Sequence, residues 1–98
     1  MSPSELEDVL LKHPAIADVG VVGIPHDRHG EVPRAYVIKS SRQDISIDEI
    51  NHYMREHLAA HKQLLGGIKF VTELPKNPTG KLLRRELKNM AANNDSLN

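Results

Sequence analysis

The chain has no cysteine among its 98 residues. A disulfide framework and a thiolate zinc site are therefore excluded. It also lacks any apolar run near the roughly 20 residues that a membrane-spanning helix needs. The N-terminus has no basic-then-apolar leader pattern. These absences describe an intracellular chain, most simply cytoplasmic. The C-terminal Asp95-Ser96-Leu97-Asn98 is not the Ser-Lys-Leu peroxisomal tripeptide. Net charge is also missing, with thirteen basic and thirteen acidic residues, which disfavours a generic nucleic-acid binder. Such a binder would show strongly salt-dependent association.

Hydrophobic residues make up 39% of the chain, enough for one small core and not for two. A deep enclosed pocket would compete with that core for the same side chains. Composition thus favours a module over a complete enzyme. The charge, neutral in sum, is uneven. Residues 1–31 hold six acids and two bases, a net of −4, and the remainder sums to +4. Lys76, Lys81, Arg84, Arg85 and Lys88 against Glu86 form the one local basic patch.

Element signals alternate along the chain. Ser2-Pro3-Ser4-Glu5 is a capping box with proline at the first helical position, followed by Leu6, Val9 and Leu10. His13-Pro14 ends that helix. Residues 16–24 read as a largely buried strand, and residues 32–39 as a second strand antiparallel to it. Pro33 lacks an amide donor, so its end of the strand is expected at an edge or bulge. Ser46 to Glu49 is a second capping box, before Ile47, Ile50, Met54 and Leu58 at helical spacing. Residues 68–74 read as a third strand. Lys81 to about Met90 read as a short helix with Leu83, Leu87 and Met90 on one side, and residues 91–98 as a frayed, disordered tail. The order α-β-β-α-β-α predicts an α+β fold: a small three-stranded sheet with three helices on it. The helix between the last two strands predicts a parallel crossover, with the first strand placed between them.

Few residues are arranged for chemistry. His26 and His29 flank Asp27 and Arg28 and read as a solvated turn, because a metal site needs three or four converging ligands. His52 and His57 fall on an exposed helix face. No Gly-x-Ser-x-Gly elbow occurs. Gly80-Lys81 is followed by leucine, and Pro75 stands where a phosphate loop would begin with glycine. Leu82 to Lys88 reads as a packed helix with a solvated basic face. The tract Pro75-Lys76-Asn77-Pro78-Thr79-Gly80-Lys81 is different. Two prolines restrict it, Gly80 permits a turn, and Lys81 is presented at a loop-to-helix junction. A cation held there can reach a phosphoryl or carboxylate group on another body. The residues alone leave open the alternative of a plain lysine in the first turn of a surface helix.

Taken together, these segments resemble the C-terminal domain of the adenylate-forming superfamily, which includes acyl-CoA synthetases, 4-coumarate–CoA ligases and beetle luciferases. The resemblance covers residues 2–90. It rests on residues 2–38 (SPSELEDVLLKHPAIADVGVVGIPHDRHGEVPRAYVI), on residues 58–87 (LAAHKQLLGGIKFVTELPKNPTGKLLRREL), and on Pro-x-x-x-x-Gly-Lys followed by Leu-Leu-Arg-Arg. It implies a mobile C-terminal lid, residues 1–90, of an ATP-dependent acyl-CoA ligase, inactive alone. Lys81 would be the adenylation lysine, with Pro78, Thr79 and Gly80 shaping its loop. Lys62 would be a thiol-channel residue, although His61 stands where many relatives carry tyrosine. The resemblance further implies a large N-terminal domain that binds most of the ATP and magnesium, with CoA and a carboxylic acid as the other substrates. The alternatives are an interaction module acting in trans, a degenerate paralogue, or a luciferase-type oxygenase domain.

Overall fold

The computed structural model describes residues 3–26, 30–58, 64 and 66–97. The expected cap Ser2, the expected site residue Lys62 with its neighbour His61, and Asp27 to His29 of the expected solvated turn lie outside that set. Six elements follow in the expected order: α1 (Pro3–Leu11), β1 (Ile16–His26), β2 (Gly30–Lys39), α2 (Ile47–His57), β3 (Ile68–Phe70) and α3 (Arg84–Leu97). The fold class is α+β, with a mixed three-stranded sheet. Among the described residues no helix is long and apolar enough to cross a membrane.

The strand order is β1-β2-β3, so β2 is central. It runs antiparallel to β1, with Val21 opposite Ala35, and parallel to β3, with Ala35 opposite Ile68. This corrects the expectation that β1 lies between the other two. The hairpin occupies one edge of β2 along its whole length. The other edge stays open, and there Ala35 N donates to Gly67 O (3.1 Å) and Val37 O accepts from Val71 N (2.9 Å). Pro33 sits in this central strand, but beyond the reach of β3. Its carbonyl accepts from Gly66 N (2.8 Å), so its missing donor faces the side where the sheet has locally ended.

Alternation along the strands explains the long apolar reading of residues 16–24. Val19, Val21, Ala35, Val37 and Ile68 are buried with α1 and α2 through Leu6, Leu10, Ile50 and Met54. Val22, Ile24, Val32 and Tyr36 face the other way and are buried with Leu87 and Ala91 of α3. The composition therefore supports two small clusters rather than the one expected, because a single sheet serves as the wall of both. Ser46 caps α2 as expected: its Oγ accepts from Glu49 N (3.1 Å), and Glu49 Oε1 accepts from Ser46 N (3.2 Å). Ile47 does not join the buried stripe and is 42% exposed.

The last two elements differ in their boundaries from the sequence reading. The third strand ends at Phe70, not residue 74, because Val71 and Leu74 turn to pack on the α3-side cluster. The last helix begins at Arg84, since residues 81 and 82 belong to a hairpin. It runs on to Leu97 rather than stopping at Met90. Ala91, one turn after Leu87, is buried in the same cluster and extends the packed stripe, while Met90 is 38% exposed.

Candidate functional site

The tract Pro75 to Leu83 forms a small closed hairpin. Leu83 N donates to Pro75 O (2.9 Å), Lys76 pairs with Leu82 in an antiparallel bridge, and Asn77 N donates to Lys81 O (3.0 Å). Gly80 N donates to Asn77 O (2.9 Å), which closes a four-residue turn. Asn-Pro-Thr-Gly suits such a turn: asparagine first, proline second, glycine last. Gly80 has φ 87°, the left-handed conformation that completes a three-residue hairpin connection and that side chains with a Cβ resist.

Asn77 organises the tip. Its Oδ1 accepts from Thr79 N (3.1 Å), Thr79 Oγ1 (2.7 Å) and Lys81 N (2.9 Å). The loop is thus held by one side-chain oxygen as well as by its backbone. The sequence reading placed Pro78, Thr79, Gly80 and Lys81 here and missed Asn77. An asparagine directly before proline was the available signal, since its side chain can bond the backbone two residues on. Asn77 is half-buried, while Pro78 to Lys81 are exposed.

The residues flanking the tip are anchored to the rest of the fold. Lys76 pairs with Asp18 of β1. Arg84 pairs with Glu7 of α1 (2.6 and 3.2 Å) and also donates to the carbonyl of Val21 in β1. The Glu7 hydrogen bond pushes the Arg84 pKa up. Lys88 reaches Glu31 (2.7 Å). Between these contacts Leu82 and Leu87 lie over Gly20 of β1. A Cβ built there would come within 2.6 Å of Leu87 Cδ2, so glycine permits this close approach. Three of the five cations in the basic patch are consequently paired with acids from the N-terminal third. The side chains of Lys81 and Arg85 have no hydrogen-bond or ion-pair partner among the described residues.

The loop therefore offers a cation on an exposed, hydrogen-bonded hairpin. A surface groove of about 780 Å³ lined by Ile38, Lys39, Phe70, Val71 and Met90 lies elsewhere, and none of residues 76–82 lines it. Among the described residues no group of three His, Asp or Glu could hold a metal ion. His52 and His57 are exposed on α2, where His52 Nε2 meets Glu56 (2.6 Å) and His57 Nδ1 lies 2.9 Å from Tyr53 O.

Residues 5–81 match the AMP-binding enzyme C-terminal domain family. A putative acyl-coenzyme A synthetase of Emericella nidulans is 46% identical over 93 residues, covering 93% of this chain and 17% of that protein. The fold is similar to that of an acyl-CoA synthetase from Brucella canis, with a TM-score of 0.87 and 33% identity over 97% of this chain and 18% of that one. It is also similar to the o-succinylbenzoate CoA synthetase of Bacillus subtilis, solved in complex with its acyl-adenylate intermediate. There the TM-score is 0.82 and the identity 39%, over 90% of this chain and 18% of that one. The chain spans less than a fifth of the length of these proteins.

Proposed function

The chain belongs to the AMP-binding enzyme C-terminal domain family, and on that premise we propose that it is the mobile C-terminal domain of an ATP-dependent acyl-CoA ligase, with Lys81 as its adenylation lysine. One observation carries the reading: Lys81 alone stands at the tip of a hairpin held by Asn77, with its ammonium left unpaired among the described residues.

The chemistry asked of this lysine is electrostatic. In the first half-reaction a carboxylate oxygen bonds to the α-phosphorus of ATP, and pyrophosphate leaves. Negative charge builds on the α-phosphoryl oxygens in the transition state. A pre-positioned ammonium stabilises that charge without reorganising. In the second half-reaction a CoA thiol bonds to the acyl carbon, and AMP leaves. Lys81 has no role there, and the domain turns to present another face. Closure of the small domain on a large one thus completes the catalytic set for each step.

The residues present fit only part of this task. A cation with no side-chain partner among the described residues, carried on a hairpin with a glycine turn, suits an anionic phosphoryl group. No described acidic cluster suits magnesium, and no described pocket surrounds a nucleotide at the loop. ATP, magnesium and the acyl group are therefore assigned to a large partner domain.

The test is Lys81→Ala in the full-length protein that carries this domain, with the two half-reactions assayed separately. Adenylation is expected to fall by at least about 10²–10³-fold, roughly 3–4 kcal/mol. Thioester formation from supplied acyl-adenylate is expected to change little. Equal loss in both steps would remove the assigned role. The 98-residue chain by itself is expected to form no adenylate.

A further inference from the structure

We propose that Glu7 and Arg84 form a positioning pair for Lys81, fixing where the lysine-bearing hairpin stands on the sheet. This rests on the reading of Lys81 as the adenylation lysine.

β1 is an edge strand, and an edge strand presents backbone groups that the sheet cannot satisfy. At Val21 both outward groups are taken by this pair. Val21 N donates to Glu7 Oε2 (2.7 Å), and Val21 O accepts from Arg84 Nη1. Arg84 also meets Glu7 through both terminal nitrogens, Nη1 to Oε2 (2.6 Å) and Nη2 to Oε1 (3.2 Å). The result is a closed ring of hydrogen bonds joining α1, β1 and the first residue of α3. The Glu7 side chain is 12% exposed and its carboxylate accepts three N–H groups. A two-pronged arginine–carboxylate pair fixes orientation as well as distance, which a lysine cannot do.

Three features tie the ring to Lys81 rather than to general stability alone. Arg84 is three residues beyond Lys81, and three residues span at most about 11 Å when fully extended. The intervening Leu82 and Leu83 are already held, Leu82 by the bridge to Lys76 and Leu83 by Pro75 O. The opposite foot of the hairpin is tied to the same strand through Lys76 and Asp18. Lys76 and Arg84 are equally exposed at 39%, and the difference lies in the acid, 26% exposed for Asp18 against 12% for Glu7. The hairpin has no other charged attachment among the described residues. A shift of Arg84 is therefore passed along a hydrogen-bonded segment to the backbone of Lys81, from which the ammonium reaches out. Small misplacements of a catalytic group are costly: about 1 Å can remove 10²-fold in rate.

The experiment uses the full-length protein with Arg84→Lys and Glu7→Gln, each alone and each combined with Lys81→Ala. Far-UV circular dichroism first scores folding. Glu7→Asp, one methylene shorter, replaces any variant that does not fold. The expected result is a fall of about 10–100-fold in the rate of adenylation, with thioester formation from supplied acyl-adenylate within about twofold of wild type. In the Lys81→Ala background the same substitutions should change the residual adenylation by less than about twofold, because the group they position is gone. Folded variants that lose both half-reactions equally, or whose losses add in full to that of Lys81→Ala, would reduce the pair to a structural tie and overturn the proposal. Wild-type adenylation rates in folded variants would overturn it as well. An unchanged Lys81→Ala enzyme would instead sink the underlying reading, and that result is visible with positions 7 and 84 untouched.

Discussion

The cations from Lys76 to Lys88 divide into two kinds that their spacing does not reveal. Lys76, Arg84 and Lys88 each reach an acid from the first third of the chain: Asp18, Glu7 and Glu31. Lys81 and Arg85 reach none among the described residues. Three acids of the −4 segment, residues 1–31, thus pair with three of the five cations of the basic patch, which is mostly an internal fastening. Arg85 is exposed on the first turn of α3, whereas Lys81 is set in a hairpin whose backbone and Asn77 oxygen define its direction. The difference teaches that local charge density says little about which cation works outward. The unpaired cation on a rigid support is the one to follow.

Four substitutions separate the outward cation from the fastened ones. Lys81→Ala has the largest expected effect, through adenylation alone. Next is Leu87→Ala, on the anchored side. Leu87 is fully buried, so its truncation should cost about 3 kcal/mol of unfolding free energy, read from the denaturant midpoint of the 98-residue chain. A cost under about 1 kcal/mol would mean that α3 does not anchor the hairpin through its apolar face. Asn77→Ala comes third. It removes the acceptor of three hydrogen bonds at an otherwise exposed tip. Adenylation should drop about 5–30-fold, equivalent to roughly 1–2 kcal/mol, while the denaturant midpoint moves little. A large loss of stability with no kinetic effect would reverse the roles given to tip and anchor. Lys88→Ala is last. Its pair with Glu31 has side-chain exposures of 51% and 57%, so less than about 0.5 kcal/mol of stability should follow it. A larger change would show that the fastening depends on its exposed rim as well as on the half-buried Glu7–Arg84 contact.

Much of the fold was readable because its signals are local. Ser46 and Glu49 are three residues apart, and the capping box they form needs nothing from elsewhere. Pro75, Pro78 and Gly80 marked a constrained loop through backbone preferences that act within a few residues, but not its closure as a hairpin ahead of α3. Asn77 was equally local but competes with many asparagines that simply face water, so its role stayed hidden until its three donors converged. The limits of β3 and α3 were not readable. Val71 leaves the sheet, and Ala91 stays in the helix, because of a cluster built from residues 22 to 36, far away in sequence.

The sequence by itself determined the element order, the α2 cap, the placement of a lysine at a glycine turn and the family to which these residues point. Each depends on a side chain's own backbone preference or on neighbours along the chain. Only the tertiary structure decided that β2 is central, that one sheet divides the apolar residues between two faces, and which of five cations are neutralised. Those outcomes depend on contacts across as many as 77 residues, as between Glu7 and Arg84, and a charge has no partner until the chain has closed on itself.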